Sequence, residues 1–247
     1  MRTSGNTILI TGGGSGIGRA LAQRFHDRGD FVIVAGRRQD ALDETIAGRT
    51  RMAAYTLDVE DAAALADFAA RVTAEHPDLN VLVNNAGIMR AEDVTAKRDL
   101  HDAEETVTTN LLGPIRLTDA LIDHLSAKPD AAIVFVSSGL AFVPLPGTPT
   151  YSATKAAIHS YAVSLRVKLK DRVEVIELIP PAVQTDLVPG AATNPSSMPL
   201  DEYADEVMDL FARELTPPEI AVKRVAFLRR AEAEGRFDEA LATLAAR

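Results

Sequence analysis

The chain has 247 residues, a length that fits one α/β domain, since such domains often reach roughly 200–250 residues, and that buries a core without disulfides or a structural metal. It contains no cysteine, which removes thiol catalysis, thiolate metal sites and disulfides at once. A formal net charge of −9 opposes nonspecific binding to nucleic acid or to an anionic membrane, so any phosphate affinity must come from a local site.

Met1 to Ile10 carries one arginine and a short apolar run, too short for a signal peptide. No segment approaches the roughly 18 apolar residues of a membrane span. A soluble, cytoplasmic protein without nucleic-acid or membrane partners is expected. In chain order, Thr7–Thr11 predicts a buried strand and Ile17–Arg28 a helix with Leu21, Ala22 and Phe25 inward. Phe31–Ala35 is the next strand. Met52–Leu57, Leu79–Val83, Ala132–Val136 and Val173–Ile179 repeat the strand pattern. Helices are expected near Asp61–Glu75, Leu100–Leu125, Tyr151–Lys170 and Leu200–Glu214. Strands buried on both faces and alternating with helices are parallel strands with crossover helices. The expected fold is a single-domain (1–247), Rossmann-type α/β doubly wound parallel sheet of six or seven strands, helices on both faces, with ligands beyond the carboxyl ends of the strands. Residues 186–215 read as a substrate lid. Residues 219–247 read as helical throughout, either a covering helix or a subunit contact.

After the first strand comes Thr11-Gly12-Gly13-Gly14-Ser15-Gly16-Ile17-Gly18. Glycine lets the backbone turn tightly and approach a pyrophosphate, and the following helix offers free N–H groups. Alone, such a cluster also fits a plain turn. Its place between a strand and a helix favours phosphate binding by Gly12, Gly14, Ser15, Gly16, Ile17 and Gly18. The second strand ends Gly36-Arg37-Arg38. Dinucleotide sites that take NAD place an acidic residue there, whereas arginine accommodates a 2′-phosphate. Arg37 and Arg38 therefore point to NADP(H) over NAD(H); two solvated surface arginines are the alternative. Asp58, followed by Val59, is a candidate for the adenine amino group or an N-cap. Asn84, Asn85, Ala86 and Gly87 follow the fourth strand. Their amides tie strand ends together or, for Asn85, touch the cofactor ribose.

Farther along, Pro114 has no N–H for the Asn110 carbonyl. A bend is expected there, with a free carbonyl for a relay water or a kink for packing alone. Ser137 and Ser138 end the fifth strand. Tyr151 and Lys155 lie four apart, on one helix face. A phenol of ordinary pKa about 10 is a poor base. A lysine ammonium and an oxidised nicotinamide ring, both cationic, lower that pKa. A serine hydroxyl holds a substrate oxygen as charge develops on it.

These pieces, in this order and spacing, make the chain similar to the short-chain dehydrogenase/reductase family over about 7–187. The resemblance implies hydride transfer between nicotinamide and a carbonyl or secondary alcohol. It makes Tyr151 the acid–base group, Lys155 its pKa-lowering neighbour and ribose ligand, Ser138 the substrate-positioning hydroxyl and Asn110 the anchor of a relay water. It adds Val183 and Thr185 near the nicotinamide and a homodimer or homotetramer. Two departures stand out. Pro181 occupies a usual glycine position, and the family's short final strand is replaced by the helical tail. The run Ile179-Pro180-Pro181-Ala182-Val183 and the tail resemble a bacterial DltE-like subgroup. Leu140, Phe142, Val143, Pro144 and Leu145 are expected to line one substrate wall, which favours a largely apolar small molecule. The five histidines show no metal-ligand spacing, and no metal is expected; His159, one turn beyond Lys155, reads as a packed or interface residue. The rival readings are an NADP-binding sensor without turnover, a nucleotide-sugar epimerase or dehydratase, and an enoyl reductase. The intact Asn110, Ser138, Tyr151 and Lys155 set argues against the first.

Overall fold

Seven strands make one parallel sheet in the computed structural model, which describes residues 1–213 and 215–246. They are β1 (Thr7–Thr11), β2 (Phe31–Gly36), β3 (Met52–Thr56), β4 (Val81–Asn84), β5 (Ala132–Val136), β6 (Glu174–Ile179) and β7 (Glu219–Ala221). The spatial order is β3-β2-β1-β4-β5-β6-β7. The order therefore reverses direction at β1, and the crevice between the carboxyl ends of β1 and β4 is the topological switch point where doubly wound sheets bind ligands.

The strands are largely apolar because both faces of the sheet are covered. On one side lie α1 (Gly16–Asp27), α2 (Gln39–Ile46) and α7 (Leu200–Phe211). They contribute Leu21, Phe25, Leu42, Val207 and Phe211 to a core with Ile8, Val34 and Ile176. Phe25 and Phe211 meet edge to face, ring centres 5.4 Å apart. On the other side α3 (Ala62–Glu75), α5 (Gly113–Ser126) and α6 (Pro149–Lys168) bring Phe68, Val72, Leu117, Leu121 and Ile158 against Leu9, Ile33 and Phe135.

Three expectations change here. The tail is not helical throughout: it opens with β7, a three-residue strand hydrogen-bonded parallel to β6 at Glu177, Leu178 and Ile179. The family's final strand is therefore present, and the sheet has seven strands. The tail then continues through α8 (Ala226–Arg229) and α9 (Phe237–Ala245). The single helix expected over Leu100–Leu125 is divided into α4 (His101–Val107), a π-helical turn at Thr108–Leu112, and α5. Pro114 stands in the first turn of α5, where its missing N–H costs nothing, and the Gly113 N–H bonds back to Thr108. Helix α2 was not expected. Glu214 and Arg247, the expected ends of the seventh helix and of the tail, lie outside the described residues.

Candidate active site

At the β1–α1 turn Gly12 holds φ +67, and a Cβ there would lie 2.9 Å from Ala86 Cα and from Asn85 Nδ2. Gly18 is packed more tightly, since its Cβ would sit 2.3 Å from the Gly12 carbonyl oxygen. Ser15, the N-cap of α1, makes no side-chain capping bond. The first-turn N–H groups therefore keep no side-chain partner. Gly12, Gly14 and Ser15 open onto a cavity of about 360 Å³ with Gly36, Arg37, Arg38, Asp58, Val59, Ala86 and Gly87. Nine residues predicted from sequence thus share one cleft, with Gly36 between them. Gly18→Ala is expected to destabilise the protein by about 1–3 kcal/mol, because overpacking here meets backbone. Gly14→Ala, whose nearest contact is 3.2 Å to the Ala41 Cβ, is expected to do less. Thermal melting of both variants checks the contrast.

Other predicted cofactor residues serve this cleft from behind. The Asn85 side-chain amide donates to the Thr11 carbonyl at 2.8 Å, tying two strand ends together. Asn84 donates to Thr118 Oγ1 on α5. Gly18 packs on Gly12 and Asn85, and Ile17 packs against the core. Gly16 lies against Thr185, and Val183 is buried and bridged to Met198. Asp58 accepts from the Glu60 N–H, while Asp61 is the N-cap of α3. Sequence reasoning missed Glu60 and Thr109, which also line the cavity and are joined at 2.7 Å. They lie 49 residues apart and carry no motif. Arg37 has its guanidinium 3.7 Å from Glu60 and 4.0 Å from Glu105.

The second cluster forms where β5 meets α6. Tyr151, Lys155, Ser138 and Asn110 are all buried. Ser138 stands beside Tyr151, where it opposes the rise of the phenol's pKa, and Ser138 Oγ accepts from the Leu140 N–H at 3.1 Å. Ser137, the other serine, is turned away to Glu177. Lys155 Nζ donates to the Val136 carbonyl at 2.8 Å and lies 5.5 Å from the Tyr151 ring centre. Asn110 bonds Ile88 in both directions, accepting from its N–H at 2.9 Å and donating to its carbonyl at 2.8 Å.

Burial dominates the electrostatics of this cluster. It pushes the Tyr151 phenol up to about 12, opposed by the neighbouring Ser138 hydroxyl. Burial also pulls the Lys155 ammonium down to about 8. Desolvation disfavours the charged form of each group. The phenol is therefore neutral at neutral pH. For Lys155 the sign is as follows. The native state disfavours the ammonium, so below about pH 8 the folded chain carries the full cost, and stability rises as pH climbs from there to the ordinary 10.5. That displacement corresponds to roughly 3 kcal/mol. Lys155→Met is accordingly expected to melt no lower than wild type at pH 7 while losing activity; a lowered Tm at pH 7 contradicts the burial cost.

The expected substrate wall is also revised. Val143 is fully buried against Ala231, Ala240 and Leu244 of the tail, with Leu140 and Leu145 packed on the same cluster. Phe142 lies between His159, at 4.8 Å, and the Arg229 guanidinium, at 4.5 Å. This loop is apolar because it carries the tail, so its composition does not argue for an apolar substrate. His159, Glu177 and Glu219 bring potential metal-ligand atoms within 4.8 Å of one another. The Glu219 carboxylate there already accepts two nitrogens of Arg229, at 2.7 and 2.8 Å. Among the described residues, no helix is long and apolar enough to cross a membrane.

A glycine-lined nucleotide cleft and a tyrosine–lysine–serine cluster, both at the carboxyl edge of a doubly wound sheet, are the parts of a nicotinamide-dependent oxidoreductase. Residues 6–195 match the family model described as short chain dehydrogenase, and the chain belongs to that family of NAD(P)-dependent dehydrogenases and reductases. The DltE-like resemblance is borne out by an uncharacterized oxidoreductase, DltE, of Bacillus subtilis, 43% identical over 76% of this chain and 75% of the relative. Sulfoacetaldehyde reductase 2 of Chromohalobacter salexigens is 33% identical over 72% of this chain and 73% of that protein. Among solved structures, a short chain dehydrogenase from Burkholderia cenocepacia in complex with NADP superposes with a TM-score of 0.84, at 25% identity, covering 99% of both chains.

Proposed function

We propose that the protein is an NADP(H)-dependent oxidoreductase that reduces a carbonyl, or oxidises a secondary alcohol, of a small molecule, with Tyr151 as the acid–base group. The observation that carries this reading is the burial of Asn110, Ser138, Tyr151 and Lys155 together where β5 meets α6, with Lys155 Nζ 5.5 Å from the Tyr151 ring centre. The cleft fits a dinucleotide on its own features: glycines whose Cβ would strike backbone, an α1 N-terminus without a side-chain cap, and two arginines at the end of β2. Arg37 and Arg38 would hold a 2′-phosphate where NAD-type sites carry a carboxylate. Bound there, the cofactor supplies the hydride.

The protein's own residues do the rest. Ser138 orients the substrate oxygen. Tyr151 donates its proton to that oxygen during reduction, and takes one during oxidation. Lys155 holds the ribose and places positive charge near the phenol. Asn110 anchors a relay water through its backbone carbonyl, which has no N–H partner at Pro114. The stretch 186–199, ahead of α7, forms a lid over the substrate. Leu112, Val163 and Val167 are exposed apolar residues near the helices that bear Asn110 and Tyr151, and they support a homodimer or homotetramer.

The test is NADPH oxidation against a panel of ketones and aldehydes, alongside NADPH and NADH binding. Turnover with preferential NADPH use supports the reading. Tight NADPH binding with no turnover across the panel supports a sensor instead.

A further inference from the structure

Glu177 lies within β6 between the core residues Ile176 and Leu178, and it is fully buried at 0% exposure. A buried carboxylate costs more than an apolar residue of similar volume unless its oxygens are well bonded. Both oxygens are used. Oε1 accepts from Ser137 Oγ at 2.6 Å, and Oε2 lies 2.8 Å from His159 Nδ1. Ser137 immediately precedes Ser138. His159 is one helical turn beyond Lys155 and two beyond Tyr151, on the same face of α6. One carboxylate therefore ties the end of β5 to the helix that carries the phenol and the ammonium.

The outer side of this bridge is braced. The Phe142 ring stands edge-on to His159, and Arg229 lies over the other side of Phe142 while gripping Glu219 of β7. Arg229 and Glu219 lie beyond residue 195, where the match to the family model ends. The bridge is thus held by the tail as well as by the sheet.

We infer that Glu177 and His159 are positioning residues that fix Ser138 relative to Tyr151 and Lys155 by joining β5 to α6. This rests on the reading of Ser138 and Tyr151 as catalytic. A displaced hydroxyl costs turnover more than binding, since misplacement of about 1 Å lowers rate by as much as a hundredfold.

The test compares wild type with Glu177→Gln, Glu177→Ala and His159→Ala, with Tyr151→Phe as reference. It measures kcat and KM for carbonyl reduction, NADPH affinity, melting temperature and amide hydrogen exchange. Glu177→Ala is expected to lose about tenfold to a hundredfold in kcat. Its NADPH affinity should stay unchanged, and exchange should accelerate at 137–142 but not in the glycine loop at 12–18. Glu177→Gln, which still bonds Ser137, should restore most of the kcat. If Glu177→Ala does not fold, His159→Ala, at the half-buried end, should show the same pattern more weakly. Unchanged exchange at 137–142, or a lowered melting temperature with full kcat, overturns the inference. Wild-type turnover by Tyr151→Phe overturns the catalytic reading instead, and the exchange result still decides whether the bridge fixes the Ser138 segment.

Discussion

Tyr151→Phe is expected to cut carbonyl reduction roughly 10²–10⁴-fold, the range for loss of a positioned proton donor. NADPH affinity and melting temperature should stay near wild type. The ring is buried in the first turns of α6 and keeps its packing. Only the hydroxyl beside Ser138 is lost. With the phenol pushed up to about 12, it is protonated throughout the neutral range. Reduction consumes that proton, so its rate should be flat through neutral pH. It should decline above about pH 8, first as Lys155 loses its charge. Oxidation needs the phenolate and should rise with pH. The pH profiles of the two directions, measured with and without the substitution, check both the size and the sign. A reduction rate that grows steadily toward alkaline pH would contradict a neutral phenol acting as the acid.

The second large effect concerns the nucleotide. Arg37→Ala combined with Arg38→Ala is expected to weaken NADPH at least a hundredfold while changing NADH little. A charge-assisted hydrogen bond is worth about 1.5–3 kcal/mol, and each 1.4 kcal/mol is tenfold in affinity. Both arginines line the cleft at the end of β2, next to Gly36. Arg37 is already drawn toward Glu60 and Glu105, so a phosphate must compete with two carboxylates for it. Its single substitution should therefore cost less than that of Arg38, which lacks such partners among the described residues. Calorimetric affinities for both nucleotides separate the cases. Equal losses for NADPH and NADH would mean that the arginines act on the shared pyrophosphate or on folding, not on the 2′-phosphate.

Six strands were legible in the sequence because each is a short, largely apolar run, rich in β-branched residues in β1, β2, β4, β5 and β6. β7 was not. Glu219, Ile220 and Ala221 have no strand signature, and they are a strand only because β6 offers its edge. Helix α2 starts after two arginines and is largely polar, with only Ala41, Leu42 and Thr45 buried, so its periodicity is weak. The break near Asn110 was readable from Pro114, but its form, a π-helical turn, depends on packing against α6. The cleft was largely visible because glycines and arginines announce themselves by type and spacing. An amide's bond to a neighbouring strand end was readable at Asn85, but only the fold shows that its partner is the Thr11 carbonyl. The substrate wall was misread because an apolar loop does not say what it packs on. Spacing shows the charge beside Tyr151 but not the desolvation that raises its phenol.

The most direct test of the central claim is isotope transfer. NADPH carrying deuterium on the transferring face of its ring would be incubated with a reducible carbonyl compound, and the alcohol analysed by mass spectrometry. The account predicts deuterium on the carbinol carbon with wild type and very little product with Tyr151→Phe. Equal deuterated product from both proteins would contradict the assignment of the proton to Tyr151. An alcohol formed without deuterium, with reduced cofactor of either face, would contradict hydride transfer itself.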